Sequence, residues 1–243
     1  MSPPAPYYQA AGVTLYHGRA DDIVPELEAV DLVLTSPPYN LNGDGNNSAG
    51  TYFQQLGDGY EDHTDDMPHA EYVAWQRSIV AALWDKLTDA GAIFYNHKPR
   101  VGGPRVRLPL ELVPDHCHVR QVIVWDRGSG FNRQHTYFVP AHEWVLLIAR
   151  EAFRTNTRSV DDVWRIPFET GGDHPAPFPL SLARLAIGST DAATVLDPFA
   201  GSGTTLRAAK DLGRQAVGIE LSERYCEQIA TRLGQETFDL RGV

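Results

Sequence analysis

Cysteine is nearly absent: Cys117 and Cys226 are the only two in 243 residues, which excludes a disulfide framework and a cysteine-rich structural zinc site. No apolar run reaches the roughly 18 residues that span a bilayer. The opening stretch MSPPAPYYQA has neither the basic nor the apolar region of a secretory signal, so a cytoplasmic globular enzyme is expected. There is no internal repeat and no low-complexity tract, and the length suits a single domain spanning 1–243. Positive charge is also scarce, with 21 Lys and Arg against 31 Asp and Glu for a net charge of −10. That balance argues against a polyanionic partner until its distribution is read. Residues 1–96 carry a net −11, residues 97–133 a net +4, and residues 134–243 a net −3. The basic segment holds Lys98, Arg100, Arg105, Arg107, Arg120, Arg127 and Arg133. Such a stretch between acidic flanks suits a phosphate backbone; charge alone fits a solvated surface equally well.

Seven β-type runs stand out: Val13–His17, Asp31–Thr35, Ala92–Tyr95, Val119–Trp125, Glu143–Ala149, Thr194–Asp197 and Gln215–Glu220. Most are rich in Val, Ile, Leu or aromatics and end near Gly, Pro or Asp, as strands buried on both faces do. Between them lie helical patterns. Pro68–Leu87 spaces Tyr72, Trp75, Ile79 and Leu83 by three or four residues and is expected to stop at Ala90-Gly91; Thr204–Leu212 and Leu221–Leu233 show the same period. The alternation predicts an α/β fold with helices on both faces of a mostly parallel, seven-stranded sheet. Val119–Trp125 and Glu143–Ala149 have no helical pattern between them and are expected to form an antiparallel hairpin. Asn40–Asp66, dense in Gly, Asn and Asp, reads as a long mobile loop. Thr155–Pro179, rich in Pro and Gly, reads as mostly irregular, and the Pro-rich first residues as a loose tail.

Two motifs carry chemistry. In Leu196-Asp197-Pro198-Phe199-Ala200-Gly201-Ser202-Gly203-Thr204-Thr205 an apolar strand runs into an acidic residue, a glycine turn and a helix. Gly201 and Gly203 allow close backbone approach to a ligand, and the helix start offers free N–H groups. A second strand ends at Glu220, 17 residues after Gly203, where an α/β nucleotide fold places a carboxylate to accept bonds from ribose hydroxyls. The third glycine of a dinucleotide fingerprint is missing, since Leu206 stands there, and no Gly-Lys-Ser/Thr follows, which excludes a P-loop. The other motif is Thr35-Ser36-Pro37-Pro38-Tyr39-Asn40, closing an apolar strand. Two prolines fix the turn and remove two donors, so the carbonyls of Ser36 and Pro37 are rigid acceptors beside the flat ring of Tyr39. That pairing suits a planar substrate with an amino group on its edge.

Together TSPPYN and DPFAGSGTT with Glu220 resemble the amino-methylating DNA methyltransferases that use S-adenosylmethionine. The catalytic-type motif comes first, the permuted order of the beta class. The resemblance covers most of the chain and implies a Rossmann-like fold and a double-stranded DNA partner. Ser36, Pro37, Pro38 and Tyr39 would be catalytic. Asp197, Phe199, Gly201, Gly203, Thr204, Glu220, Phe178 and Pro179 would hold the cofactor, with Asp21 or Asp22 serving where relatives have Gly-Asp and this chain has Gly18-Arg19. Many relatives insert a large target-recognition domain before the segment at His174. Here only about 24 residues separate it from the hairpin, so recognition is expected from 40–66, 97–133 or 151–173. Arg105, Arg107, Arg127 and Arg133 are the expected phosphate contacts, and so small a recognition segment suits a homodimer.

The mechanism implied is attack by an exocyclic amine, held by Ser36 and the Pro37 carbonyl, on the cofactor's methyl group, with Tyr39 stacked on a base rotated out of the duplex. No metal is required. Cytosine C5 methylation would need a cysteine after a proline, but Cys117 follows His116 and Cys226 follows Tyr225. Serine rather than aspartate at position 36 favours cytosine N4. Alternatives are adenine N6, methylation of RNA or a protein amide, and a nucleic-acid-binding regulator with a vestigial cofactor site. The DNA-type DPFAGSGTT weighs against RNA or amide methylation, and an intact Asp197, Gly201, Gly203 and Glu220 against the regulator.

Overall fold

The computed structural model describes residues 3–40, 66–101, 105–130, 135–168 and 179–235. Nine strands form one sheet: β1 (Tyr8–Ala10), β2 (Val13–His17), β3 (Val30–Thr35), β4 (Leu87–His97), β5 (Val119–Asp126), β6 (His142–Ala149), β7 (Val163–Arg165), β8 (Thr194–Asp197) and β9 (Gln215–Glu220). Their spatial order is β1-β2-β9-β8-β3-β4-β6-β5-β7. β1 and β6 run antiparallel to their neighbours, and the remaining pairs are parallel. The helices are α1 (Ala20–Ile23), α2 (His69–Asp85), α3 (Leu180–Gly188), α4 (Thr204–Asp211) and α5 (Glu223–Gln235).

Strand alternation sorts the core into two layers. Leu32 and Leu34 of β3 face one layer with Phe94, Leu182, Ile187, Leu206 and Ile229, so α3, α4 and α5 cover that side. Val33 faces the other with Ile93, Tyr95, Tyr72, Ile79 and Leu83, so α1 and α2 cover that side. A sheet buried on both faces explains why its strands read as near-continuous apolar runs.

The expected α/β class, mostly parallel sheet and β5–β6 hairpin are all present. The two further strands, β1 and β7, have three residues each and join the sheet edges, too short to show a period of two. β1 makes the supposed tail part of the sheet, and Tyr7 donates to the Leu15 carbonyl at 2.8 Å. β7 lies within the stretch read as irregular, where Trp164 is buried and Trp125 Nε1 bonds the Ile166 carbonyl at 2.8 Å. α2 ends at Asp85, short of the expected Ala90-Gly91. Leu87 instead pairs with Val30, and a register shift before the Leu32–Ala92 pair accommodates the extra residues of β4. The loop expected over 40–66 lies largely outside the described residues. At its edges Asn40, buried at φ +52°, donates to the Met67 carbonyl at 2.8 Å and so ties the turn after β3 to the approach to α2.

Gly203 opens α4 at φ +80°, and a Cβ there would meet Ile229 Cγ1 at 3.0 Å. Gly203→Ala should therefore destabilise the protein by about 1–3 kcal/mol through left-handed strain and overpacking. Gly213, at φ +69° in open space, is the control: Gly213→Ala carries the strain alone, and urea denaturation should find it the milder of the two.

Candidate active site

The parallel strands β2, β9, β8, β3 and β4 end on the same edge of the sheet. Chain order reverses between β8 and β3, since β3 leads across to β4 while β8 leads the other way to β9. A crevice opens at such a switch point, beyond the carboxyl ends of the strands, and it is where ligands bind in open α/β sheets. The two motifs flank it: Ser36–Tyr39 leaves β3 and Phe199–Gly203 leaves β8. Thr35 Oγ1 donates across the gap to Asp197 Oδ1 at 2.8 Å, and both residues are buried. Asp197 also accepts the Phe199 N–H at 3.1 Å and so shapes the glycine turn behind it. Burial pushes the Asp197 carboxyl up to about 6, against hydrogen bonds from Thr205, Thr35 and Phe199 that pull it down.

On the β8–β9 side, the Glu220 carboxylate is half-buried and held at both oxygens. Oε2 accepts the Gly201 N–H at 2.7 Å and Oε1 the Ser222 N–H at 2.9 Å. Burial raises its pKa from the usual carboxylate value. Each oxygen keeps a lone pair for a hydroxyl. Gly201 at φ +52° and Gly203 make the tight turn. Thr204, the first residue of α4, is buried, with its hydroxyl 3.2 Å from that of Ser202. Phe199 meets Trp75 of α2 edge-to-face at 5.9 Å. Trp75 Nε1 in turn donates to Asp21 Oδ1 at 3.0 Å, and Arg19 pairs with Asp21 Oδ2 at 2.5 Å. Trp75, which shares the apolar spacing of Tyr72, Ile79 and Leu83, thus also meets a residue of the glycine turn. Pro179 caps the start of α3; Phe178 and Arg133 lie outside the described residues.

The Ser36–Tyr39 turn is embedded in a polar cluster. Pro37 is buried, and Tyr39 leans its ring on His97 at 4.5 Å between centroids, with Lys98 Nζ 5.7 Å from the ring centre. Its hydroxyl, which sequence reasoning left without a role, donates to Glu143 Oε2 at 2.9 Å and lies 2.8 Å from Ser36 Oγ. Burial and the Glu143 charge hold the Tyr39 pKa well above the ordinary phenol value, so the hydroxyl stays a donor. Asn96 Nδ2 lies 2.5 Å from the Tyr39 hydroxyl, 2.9 Å from Glu143 Oε2 and 3.3 Å from Ser36 Oγ. Behind the turn, Tyr72 places its hydroxyl 2.7 Å from the Pro38 carbonyl and 2.9 Å from His97 Nε2. Burial drives the His97 pKa down to about 3, so the ring is neutral, and its Nδ1 lies 2.9 Å from the Lys98 carbonyl.

Arg127, expected to meet a phosphate, is instead turned inward. Its side chain is 15% exposed, pairs with Glu143 Oε1 at 3.1 Å and donates to the Pro140 carbonyl at 2.8 Å. A buried carboxylate needs a charged partner, and the β5–β6 hairpin brings the two together. Within the basic segment Val119–Asp126 is a sheet strand that buries Ile123 and Trp125. Arg105 is exposed, and Arg107 pairs its backbone with Arg100 and lines, with His69, His97 and Lys98, a small hollow behind the turn. Asn96, His97 and Glu143 were missed as a group. Their one signal in the sequence is a polar residue at the end of an otherwise apolar strand.

A switch-point crevice flanked by a glycine turn and an acceptor-lined turn defines a Rossmann-like α/β protein with a nucleotide-type site. The comparisons with known proteins name it further: the N6/N4 DNA methylase family model matches residues 30–231, so the chain belongs to that family of DNA methylases. The type II methyltransferase M.ScaI of Streptomyces caespitosus is 28% identical, over 97% of this chain and 86% of its own. M2.MboI of Moraxella bovis is 25% identical, over 91% and 88%. In fold the chain resembles the cytosine-N4-specific PvuII DNA methyltransferase, with a TM-score of 0.74 at 18% identity over 98% of this chain and 90% of that one. It also resembles M1.HpyAVI in complex with SAM, at 0.61 and 22% over 90% and 99%. Among the described residues no helix is long and apolar enough to cross a membrane.

Because the folded pKa of Asp197 lies above its ordinary 3.8, the neutral carboxyl favours the fold. That contribution is complete below about pH 4 and is lost as pH rises through about 6. Between those limits wild-type stability should fall relative to Asp197→Asn by on the order of 2–3 kcal/mol. Chemical denaturation of both proteins from pH 4 to 7.5 reads the difference.

Proposed function

We propose that the protein transfers a methyl group from S-adenosylmethionine to the exocyclic amine of a base rotated out of duplex DNA, with cytosine N4 as the target. The observation that carries this reading is the Thr35–Asp197 bond, which sets the Ser36–Tyr39 acceptors against the Phe199–Gly203 turn. The donor set suits the cofactor. The Glu220 carboxylate has lone pairs to spare for two ribose hydroxyls, the glycine turn admits close approach, and Phe199 with Trp75 offers an aromatic wall for the adenine. Asp21, Thr204 and Pro179 complete the residues proposed to hold it. The bound cofactor supplies a methyl group on a sulfonium. Ser36 Oγ and the Pro37 carbonyl accept the two amine hydrogens, which turns the nitrogen lone pair towards that methyl. Tyr39 offers one side of its ring to the base, the other resting on His97. The serine at position 36 and the likeness to a cytosine-N4-specific enzyme support cytosine; adenine N6 presents the same amine beside a ring nitrogen and is the second reading. Mass spectrometry of nucleosides from unmethylated DNA incubated with the protein and labelled cofactor decides between them. N4-methylcytosine is expected, N6-methyladenine would reverse the base assignment, and no labelled nucleoside would refute the function.

Two variants test the partners. Glu220→Ala should weaken S-adenosylmethionine binding by roughly 1.5–3 kcal/mol, the worth of charge-assisted hydrogen bonds; calorimetry on the folded variant checks it, and unchanged affinity removes Glu220 from the cofactor site. Arg105 and Arg107 are proposed to meet phosphates. Replacing both by Ala should lower DNA affinity and flatten its log–log dependence on salt by about one unit for each phosphate no longer neutralised, whereas equal slopes would place the footprint elsewhere.

A further inference from the structure

The hydroxyl chain at the turn has a direction, and Glu143 sets it. A serine hydroxyl both donates and accepts, so Ser36 by itself does not fix whether a ligand meets a proton or a lone pair. The Tyr39 hydroxyl carries one proton, and Glu143 Oε2, an acceptor only, takes it at 2.9 Å. The Tyr39 oxygen can then only accept, so Ser36 is the donor of the 2.8 Å bond between them. With its proton committed, Ser36 Oγ has only lone pairs to offer. Asn96 obeys the same carboxylate. Its amide turns Nδ2 towards Glu143, Tyr39 and Ser36, although this leaves the buried Oδ1 without a hydrogen-bond partner among the described residues. The flipped amide would press Oδ1 against the Glu143 charge. Arg127, on the other carboxylate oxygen, fixes Glu143 in place.

We infer that Glu143 is a positioning residue for the reaction proposed above, on which this inference rests: acting through Tyr39, its carboxylate makes Ser36 an obligate acceptor for an N–H of the target amine. An aspartate at position 36 would be an acceptor by its own chemistry. Here the negative charge stands one hydroxyl further back, on the hairpin strand, and the serine turn depends on it. A ligand presenting a carbonyl at that point would meet lone pair against lone pair, so the same chain selects the amino edge of a base.

The test is the single-turnover rate on unmethylated plasmid DNA with labelled cofactor, alongside affinities for cofactor and DNA. Glu143→Gln should keep both affinities within a few-fold and lose about 10²-fold in rate. Tyr39→Phe cuts the same chain and should lose a comparable factor, and the double variant Tyr39→Phe/Glu143→Gln should lose no more than either single one. Ser36→Asp/Glu143→Gln restores an intrinsic acceptor without a facing like charge, and should recover at least about tenfold over Glu143→Gln. Additive losses, or no recovery with aspartate at position 36, would show that Glu143 only supports the hairpin and would overturn the inference. Should Glu143→Gln fail to fold, Tyr39→Phe decides: an undiminished rate there overturns it. A wild type that methylates no DNA refutes the proposed function and this inference together, whereas an active wild type with unimpaired variants refutes the inference alone.

Discussion

The bond from Thr35 to Asp197 holds together two segments that lie 162 residues apart in the chain. β3 and β8 share only two register pairs, Leu32–Val195 and Val33–Leu196, and beyond them the strands diverge into their separate turns. At that point the backbone ladder has ended, and a side-chain bond continues it. Both residues are sealed from water, so losing Asp197 would leave the Thr35 hydroxyl unsatisfied at a cost of about 1–3 kcal/mol. The acceptors of the Ser36–Tyr39 turn are therefore placed against the glycine turn by a constraint that has little freedom to relax. The same aspartate receives the Phe199 N–H, so the position of one turn and the shape of the other depend on one carboxyl group.

A second constraint is the burial of charge on the hairpin side. Glu143 is 7% exposed, and a carboxylate so placed is tolerated because Arg127, Tyr39 and Asn96 all donate to it. Removing Arg127 from the surface weakens the basic segment as a phosphate footprint and leaves Arg105 and Arg107 as its described candidates. The neutral His97, packed between Tyr39 and Tyr72, backs the turn with a ring that carries no charge of its own. The site is thus polar and closely hydrogen-bonded where it meets the hairpin, and aromatic where Phe199 and Trp75 meet.

Much of this was legible in the chain. Strands buried on both faces announce themselves as apolar runs, and β2, β8 and β9 fall where those runs were read. Glycine and proline turns are local, so Ser36–Tyr39 and Phe199–Gly203 could be picked out together with the ligand chemistry they suit. What escaped was set by pairing across distance. β1 and β7 are strands only because an edge was available to them. Trp75 shares the apolar spacing of its helix, yet in the fold it meets Phe199 edge-to-face and donates to Asp21. Arg127 reads as a surface cation, and only the β5–β6 register, which sets Trp125 opposite Glu143, shows that its charge is needed inside.

The sequence by itself determined the class of fold, the order of the two motifs and the residue types that can accept an amine or a ribose, because these follow from hydrophobic period, backbone stiffness and side-chain chemistry within a few neighbouring residues. Only the tertiary structure decided which of those groups stand together and which way their hydrogen bonds point. The direction of the chain from Ser36 through Tyr39 to Glu143 depends on a carboxylate more than a hundred residues away, brought beside the turn by the pairing of β6 with β4, which no local pattern encodes.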